Sequence, residues 1–443
     1  MTPIEGFSKL SKEEKIRWIA QQIGTNVQNL EQEFKSYWHT DAEVQKLYDE
    51  FSENTITNFY IPFGIVPNML INSQFYAVPM AIEESSVVAA ASKSAKFWLD
   101  KGGFKAEVIS TQKIGQVHFL WQGDFHKLYC VFDELREELL RNAASITKNM
   151  TARGGGVLDI ELIDARQHIP DYYQLKVTFE TCDSMGANFI NSCLENFAQT
   201  FKSWLLSNPI FTNYEKDINV VLCILSNYTP QCLVRAWVEC PIEQLGQVED
   251  QNALQFAQKF KTAIEIAKKD VYRATTHNKG IFNGIDAVVI ATGNDFRAVE
   301  ACGHTYAARS GQYRSLSDCS VENGMFKFWL DIPIAVGTVG GLTALHPMAK
   351  RSLELLGNPN AEQLMKIIAV TGLAQNFGAI KSLVTTGIQK GHMKMHLLNI
   401  LRHFKATESE VHKAVEYFKT QVVSFNSVRE FIERVRVDYD SLV

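Results

Sequence analysis

Between about residues 110 and 231 the hydrophobic rhythm of the chain switches repeatedly between period two and period 3.6, and the order of the switches leaves few folds open. Val117, Phe119 and Trp121 alternate with polar neighbours, as in a half-buried strand, and Leu128, Phe132, Leu135 and Leu139 then fall on one helical face. Leu158–Ile163 and Tyr173–Thr181 read as strands. Ile190, Cys193, Leu194, Phe197, Phe201 and Trp204 mark a second helix, and Ile218–Leu225 a final strand. The order β-α-β-β-α-β is the split βαβ arrangement of ferredoxin-like domains. The expected fold class is therefore α+β. A small domain at 110–231 is inserted into a large mixed helical and sheet domain made of 1–109 and 232–386, and a helical flap follows at 387–443.

The flanks carry their own local signals. Ser11-Lys-Glu-Glu14 is a capping-box pattern, followed by Ile16, Ile19, Ala20 and Ile23 on one stripe and by Gly24 at the stop. Ala77–Ile82 reads as a short buried strand that passes through Glu83-Glu84-Ser85-Ser86 into a small-residue helix, SVVAAASKSAKFW, ended by Gly102-Gly103. After Gly391 three amphipathic stretches, MHLLNILRHF, SEVHKAVEYF and VREFIERVRV, form the flap, with His392 at its head.

Composition excludes several classes of partner. At 443 residues with a net charge of −5, the chain offers no basic field for nucleic acid or anionic membrane. Phosphates on any ligand must then be met by local groups. The eight cysteines include no CxxC pair, so they read as reduced thiols with no metal site. The N-terminus lacks an apolar signal core and no window is expected to span a bilayer, which points to a cytoplasmic protein.

The segment Thr276–Asp295, THNKGIFNGIDAVVIATGND, reads as a glycine-punctuated loop too polar for a core. It sets an ammonium, Lys279, near a carboxylate, Asp295, as a site needs that stabilises an oxyanion and keeps its lysine charged. Each alone has a plainer reading: a lysine in HNKG is usually solvated, and an aspartate after TGN usually caps a helix. In DSMGAN, Asp183 and Met185 precede Gly186 and Asn188 at a helix start, where backbone amides can face a pyrophosphate. No GxGxxG follows a first strand, so a Rossmann domain is not indicated. Gly337, Gly340 and Gly341 allow tight turns or close approach to a ligand.

Taken in order, VPMAIEESSVVAAASKSAKFW, DSMGAN, VYRATTHNKG, NGID, ATGND, GTVGGLTALHPMAKRSLELLG and GIQKGHM resemble the 3-hydroxy-3-methylglutaryl-CoA reductases of the soluble microbial type, class II. The resemblance runs from Gly6 to the helices after Gly391. It implies interconversion of 3-hydroxy-3-methylglutaryl-CoA and mevalonate plus CoA by two hydride transfers, with coenzyme A as part of the substrate. It assigns Lys279 to the oxyanion in a water-poor pocket, and Glu84 to proton donation with a raised pKa. Asp295 holds Lys279 charged and couples to Glu84, and His392 protonates the CoA thiolate. Ser86, Arg273, Asn283, Gln375 and Asn227 map to the acyl portion of the substrate. Asp183, Met185, Gly186, Asn188, Gly337 and Gly340 map to the dinucleotide. Asp159 matches the position facing the adenine ribose, where a carboxylate favours NADH and repels a 2′-phosphate. NADPH remains open through Arg153 or Lys176. The resemblance also implies a homodimer or higher oligomer with its site at the subunit boundary. A non-catalytic CoA- or dinucleotide-binding relative is the alternative. Two departures stand out: Thr57 where relatives have glycine in ENxxG, and Ser85 where they have proline.

Overall fold

The capping box at Ser11 closes as its pattern requires. The Glu14 amide donates to Ser11 Oγ, and the Ser11 amide donates to Glu14 Oε2. A computed structural model describes residues 3–24, 26–387 and 397–440 and divides the chain into two compact units, Met1–Pro62 and Phe63–Val443. The first unit contains α1 (Lys12–Ile23), α2 (Val27–Ser36) and α3 (Ala42–Asp49). Its Glu53–Thr57 turn takes the left-handed conformation at Asn54, φ 57°, a residue type that tolerates it. Thr57 needs no glycine-like backbone, and its hydroxyl donates to the Phe34 carbonyl at 2.7 Å.

The second unit opens with the antiparallel hairpin β1 (Phe63–Ile71) and β2 (Gln74–Ala81), then α4 (Ser85–Leu99), β3 (Lys105–Val108) and β4 (Lys113–Trp121). Three helices, α5 (Phe125–Cys130), α6 (Phe132–Asn142) and α7 (Ala144–Thr151), replace the single helix expected from the leucine stripe. Leu128, Leu135 and Leu139 are nonetheless all buried in one core. β5 (Gly156–Asp164), β6 (Tyr172–Glu180), α8 (Ala187–Ser207) and β7 (Ile218–Leu225) complete a sheet of order β5-β6-β4-β7, with every neighbouring pair antiparallel. That is the ferredoxin-like topology read from the sequence. Its core holds the predicted stripe of α8, from Ile190 to Phe201.

The chain continues through β8 (Leu233–Pro241), α9 (Ala253–Lys269), α10 (Val271–Ala291), α11 (Phe296–Ala307), β9 (Ser317–Glu322) and β10 (Met325–Pro333). α12 (Leu342–Leu345), α13 (Pro347–Leu355) and α14 (Ala361–Val384) follow, and beyond residues 397–403 come α15 (Glu408–Tyr417) and α16 (Phe425–Asp440). A second sheet, β3-β8-β10-β9, joins helices α4, α9, α10 and α14 in the larger core. A third small core unites Leu397, Leu401, Phe418 and Phe431.

Two expectations are corrected here. Thr276–Ala291 is not a loop but most of α10, whose polar residues find partners on a distant segment. His277 Nε2 lies 2.7 Å from Ser317 Oγ, and Asn278 bonds both the Arg314 carbonyl and the Leu316 amide. With those bonds made, the helix buries His277 and Asn278 and leaves Thr276 and Lys279 exposed. Gly284 is there for packing, since a Cβ would lie 2.7 Å from the Thr371 carbonyl of α14, whereas Gly280 has open space. The second correction concerns membrane-spanning length. Ala361–Val384 is long and apolar enough by length and composition, but 72% of its apolar window is buried inside the protein, as in a core helix.

Candidate active site

Glu84 stands at the N-cap of α4 and Lys279 in the third turn of α10, which packs on β2 and α14. Their side chains meet, Lys279 Nζ lying 3.3 Å from Glu84 Oε2. Ser86 donates its hydroxyl to Glu84 Oε1 at 2.8 Å, so the carboxylate is held from two sides. Asn283 lies one turn beyond Lys279 on the same face of α10. Arg273 opens that helix, its amide bonded to the capping Asp270, and burial lowers the pKa of its guanidinium. Gln375, 5% exposed on α14, packs its Cβ region against Gly284, and its Oε1 has no hydrogen-bond partner among the described residues.

The pocket expected to be poor in water is open in this chain taken singly: the Lys279 side chain is 64% exposed and that of Glu84 38%. Asp295 serves as a helix cap. It caps α11, accepting from the amides of Arg297 and Ala298, and pairs with the Arg297 guanidinium at 3.1 Å. Burial pushes its pKa up, but Arg297 and the helix amides outweigh that and hold it below the usual carboxylate range. Its described bonds go to α11 and not to Lys279. His392 lies outside the described residues.

The dinucleotide candidates gather around three loops. Gly186, φ 88°, is the N-cap of α8 with no side-chain cap of its own, so the helix start can present its amides to an anion. A Cβ at Gly186 would come within 2.4 Å of Thr181, which makes glycine necessary there. Asp183 accepts the Ala361 amide through Oδ1 and the Thr338 amide through its carbonyl. Gly337 packs against the same loop, where a Cβ would lie 2.5 Å from the Met185 amide nitrogen, and its own amide donates to Asn294 Oδ1 at 2.8 Å. Gly337 thus serves the docking of the loops, whereas Gly340 has open space and φ 80°. Asn188 is exposed in the first turn of α8. Asn227 lines a cavity with Met185 and the buried Lys113, whose ammonium donates to Thr181 Oγ1 at 2.7 Å.

Asp159 sits on the edge strand β5, just after a bulge at Leu158. The nearest cation is neither Arg153 nor Lys176, which pairs with Glu161, but Arg136 of α6, 2.9 Å away. Sequence reasoning missed Arg136 because nothing local links it to a residue 23 positions on. Lys113 and Asn294 were missed for the same reason.

A sequence profile described as Hydroxymethylglutaryl-coenzyme A reductase matches residues 11–397. The chain belongs to this hydroxymethylglutaryl-coenzyme A reductase family. The 3-hydroxy-3-methylglutaryl-coenzyme A reductase of Archaeoglobus fulgidus is 36% identical over 98% of this chain and 94% of that protein. A probable 3-hydroxy-3-methylglutaryl-coenzyme A reductase of Borreliella burgdorferi is 30% identical over 99% of each. Among solved structures, the class II enzyme of Streptococcus pneumoniae, bound to NADPH in open conformations, superposes with a TM-score of 0.70 at 36% identity, covering 87% of this chain and all of that one. Another structure of that reductase covers 98% of this chain at 35% identity, also with a TM-score of 0.70. The class II resemblance and the α+β architecture are borne out together.

Proposed function

We propose that this chain interconverts 3-hydroxy-3-methylglutaryl-CoA and mevalonate plus CoA. The observation that carries the reading is the Glu84–Lys279 pair, formed between two helices of a reductase fold. A nicotinamide dinucleotide, when bound, supplies or accepts hydride. The chain's own groups do the rest. Lys279 stabilises negative charge developing on the carbonyl oxygen, and Glu84, oriented by Ser86, delivers a proton to the aldehyde oxygen in the second reduction. Asp295 supplies negative charge that favours the cationic form of Lys279. His392 protonates the departing thiolate. Arg273 meets the terminal carboxylate of the acyl group with a guanidinium fork, and Asn283, Gln375 and Asn227 bind its remaining polar atoms.

The 110–231 domain holds the dinucleotide on the Asp183–Asn188 loop with Gly337 and Gly340 beside it. The large domain holds the acyl-CoA, and 387–443 is a helical flap. NADH is favoured over NADPH because Asp159 accepts hydrogen bonds from a ribose diol and repels a phosphate. The working form is a homodimer. Support comes from an aromatic ring left in water: Tyr272, on the Lys279 face of α10, is 84% exposed. A second copy covering that face supplies the dry environment that the lysine needs. The expected compartment is the cytoplasm.

Mixing the protein with reduced nicotinamide and the CoA thioester, then following dihydronicotinamide absorbance and mevalonate by mass spectrometry, tests the reading. Oxidation coupled to mevalonate is the expected result. No turnover with either cofactor, despite binding of the thioester, would instead favour a non-catalytic relative.

A further inference from the structure

Strict alternation along β5 would send only one of Leu158 and Asp159 outward. The strand pairs Val157 with Phe179 and then Asp159 with Thr178, so the bulge adds one residue. Val157, Ile160 and Leu162 all turn to the core, and Leu158 and Asp159 are left together on the outside of an edge strand. Asp159 is fixed there by its own chain, the Ile160 amide donating to Oδ1 at 2.9 Å. Arg136 Nη2 lies 2.9 Å from the same oxygen. It reaches across from α6, where the neighbouring Leu135 and Leu139 are buried and anchor the helix.

The two side chains are 40% and 46% exposed. Exposed pairs of this kind contribute about 1 kcal/mol or less. The partnership is therefore easily exchanged, and the cation is the more mobile member because the carboxylate is tied to the backbone. A ribose diol approaching Asp159 can accept the pair as it stands, since the second carboxylate oxygen remains available as an acceptor. A 2′-phosphate brings about two negative charges. It competes with the carboxylate for the guanidinium, whose planar fork suits a phosphate better than a single carboxylate oxygen.

Resting on the reading that Asp159 faces the adenine ribose, we propose that Arg136 is a specificity-determining residue: by exchanging Asp159 for a 2′-phosphate it lets the chain use both dinucleotides and narrows the preference for NADH. Asp159 sets the direction of the preference, and Arg136 sets its size.

The test compares wild type, Arg136→Ala, Asp159→Ala and the double variant. For each, kcat/KM is measured with NADH and NADPH, and the dissociation constants of NAD⁺ and NADP⁺ by calorimetry. In Arg136→Ala the NADH/NADPH ratio rises about tenfold, as expected for loss of one charge-assisted bond, and NADP⁺ binding weakens by the same factor relative to NAD⁺. In Asp159→Ala the ratio falls, because Arg136 is left without its carboxylate. The effect of Arg136→Ala on NADP⁺ also shrinks as salt is raised. A ratio unmoved by Arg136→Ala but shifted by Asp159→Ala overturns this inference and leaves the reading of Asp159 intact. So does an equal loss with both cofactors, which marks Arg136 as structural. A ratio unmoved by Asp159→Ala overturns the Asp159 reading, and the inference with it.

Discussion

Lys279 and Glu84 stand 195 positions apart in sequence, yet Nζ and Oε2 lie 3.3 Å from each other. One is carried by a long helix of the core and the other by the cap of a helix that follows a hairpin, so two separate elements bring the pair together. In the single chain the pair is open to water, where a charge pair stabilises little and stabilises an oxyanion poorly. The geometry is built, and the dry environment has to be added.

The first prediction follows from that gap. Activity should disappear on dilution in parallel with the dimer, and Tyr272→Asp, which charges the exposed apolar face, should shift light scattering towards monomer and abolish turnover together. A monomer with full activity contradicts the account.

Gln375 gives a second. Its buried Oε1 lacks a partner among the described residues, so Gln375→Leu removes an unsatisfied atom and should leave the thermal midpoint unchanged or raise it by a few degrees, the scale of about 1 kcal/mol. The KM for the thioester should meanwhile rise about tenfold if that oxygen serves the substrate. A destabilised variant with unchanged KM assigns Gln375 to packing.

The pH dependence of stability has an identifiable source in Asp286, on α10. Burial, then the charge and hydrogen bond of Glu300, push its pKa from the ordinary 3.8 up to about 8. Between those values the folded chain holds a proton that the unfolded chain has lost. The group's contribution is thus full below pH 3.8 and drains away as pH rises through about 8. Asp286→Asn keeps the shape and removes the titration. Its denaturation midpoint should exceed that of wild type most at pH 8 to 9 and least near pH 4. A constant difference across that range assigns the cost elsewhere.

How much of this was legible in the sequence varies with the distance between partners. The strands of the ferredoxin-like sheet announce themselves because their buried faces alternate locally, and the caps of α1 and α11 because a cap bonds within three residues. The helical state of Thr276–Ala291 was not legible. What lets His277 and Asn278 be buried is Ser317, Arg314 and Leu316, some forty residues on. The same holds for Arg136 beside Asp159. Glu84 and Lys279 were identified through resemblance, and no local pattern foretold that they touch.

His392 permits a separation of steps. His392→Gln should suppress reduction of the thioester, where a thiolate must be protonated, while reduction of free mevaldehyde persists within severalfold. Equal loss in both would give the histidine a positioning role only.

The most direct test of the central claim is the turnover of Lys279→Met set against its affinity for 3-hydroxy-3-methylglutaryl-CoA. Methionine keeps the length of the side chain and removes the charge that the reaction draws on only as the oxyanion forms. Turnover should fall about a hundredfold to a thousandfold, with the dissociation constant of the thioester within a few-fold of wild type. Turnover that stays within severalfold of wild type contradicts the account, because the ammonium facing Glu84 would then have no part in the reduction.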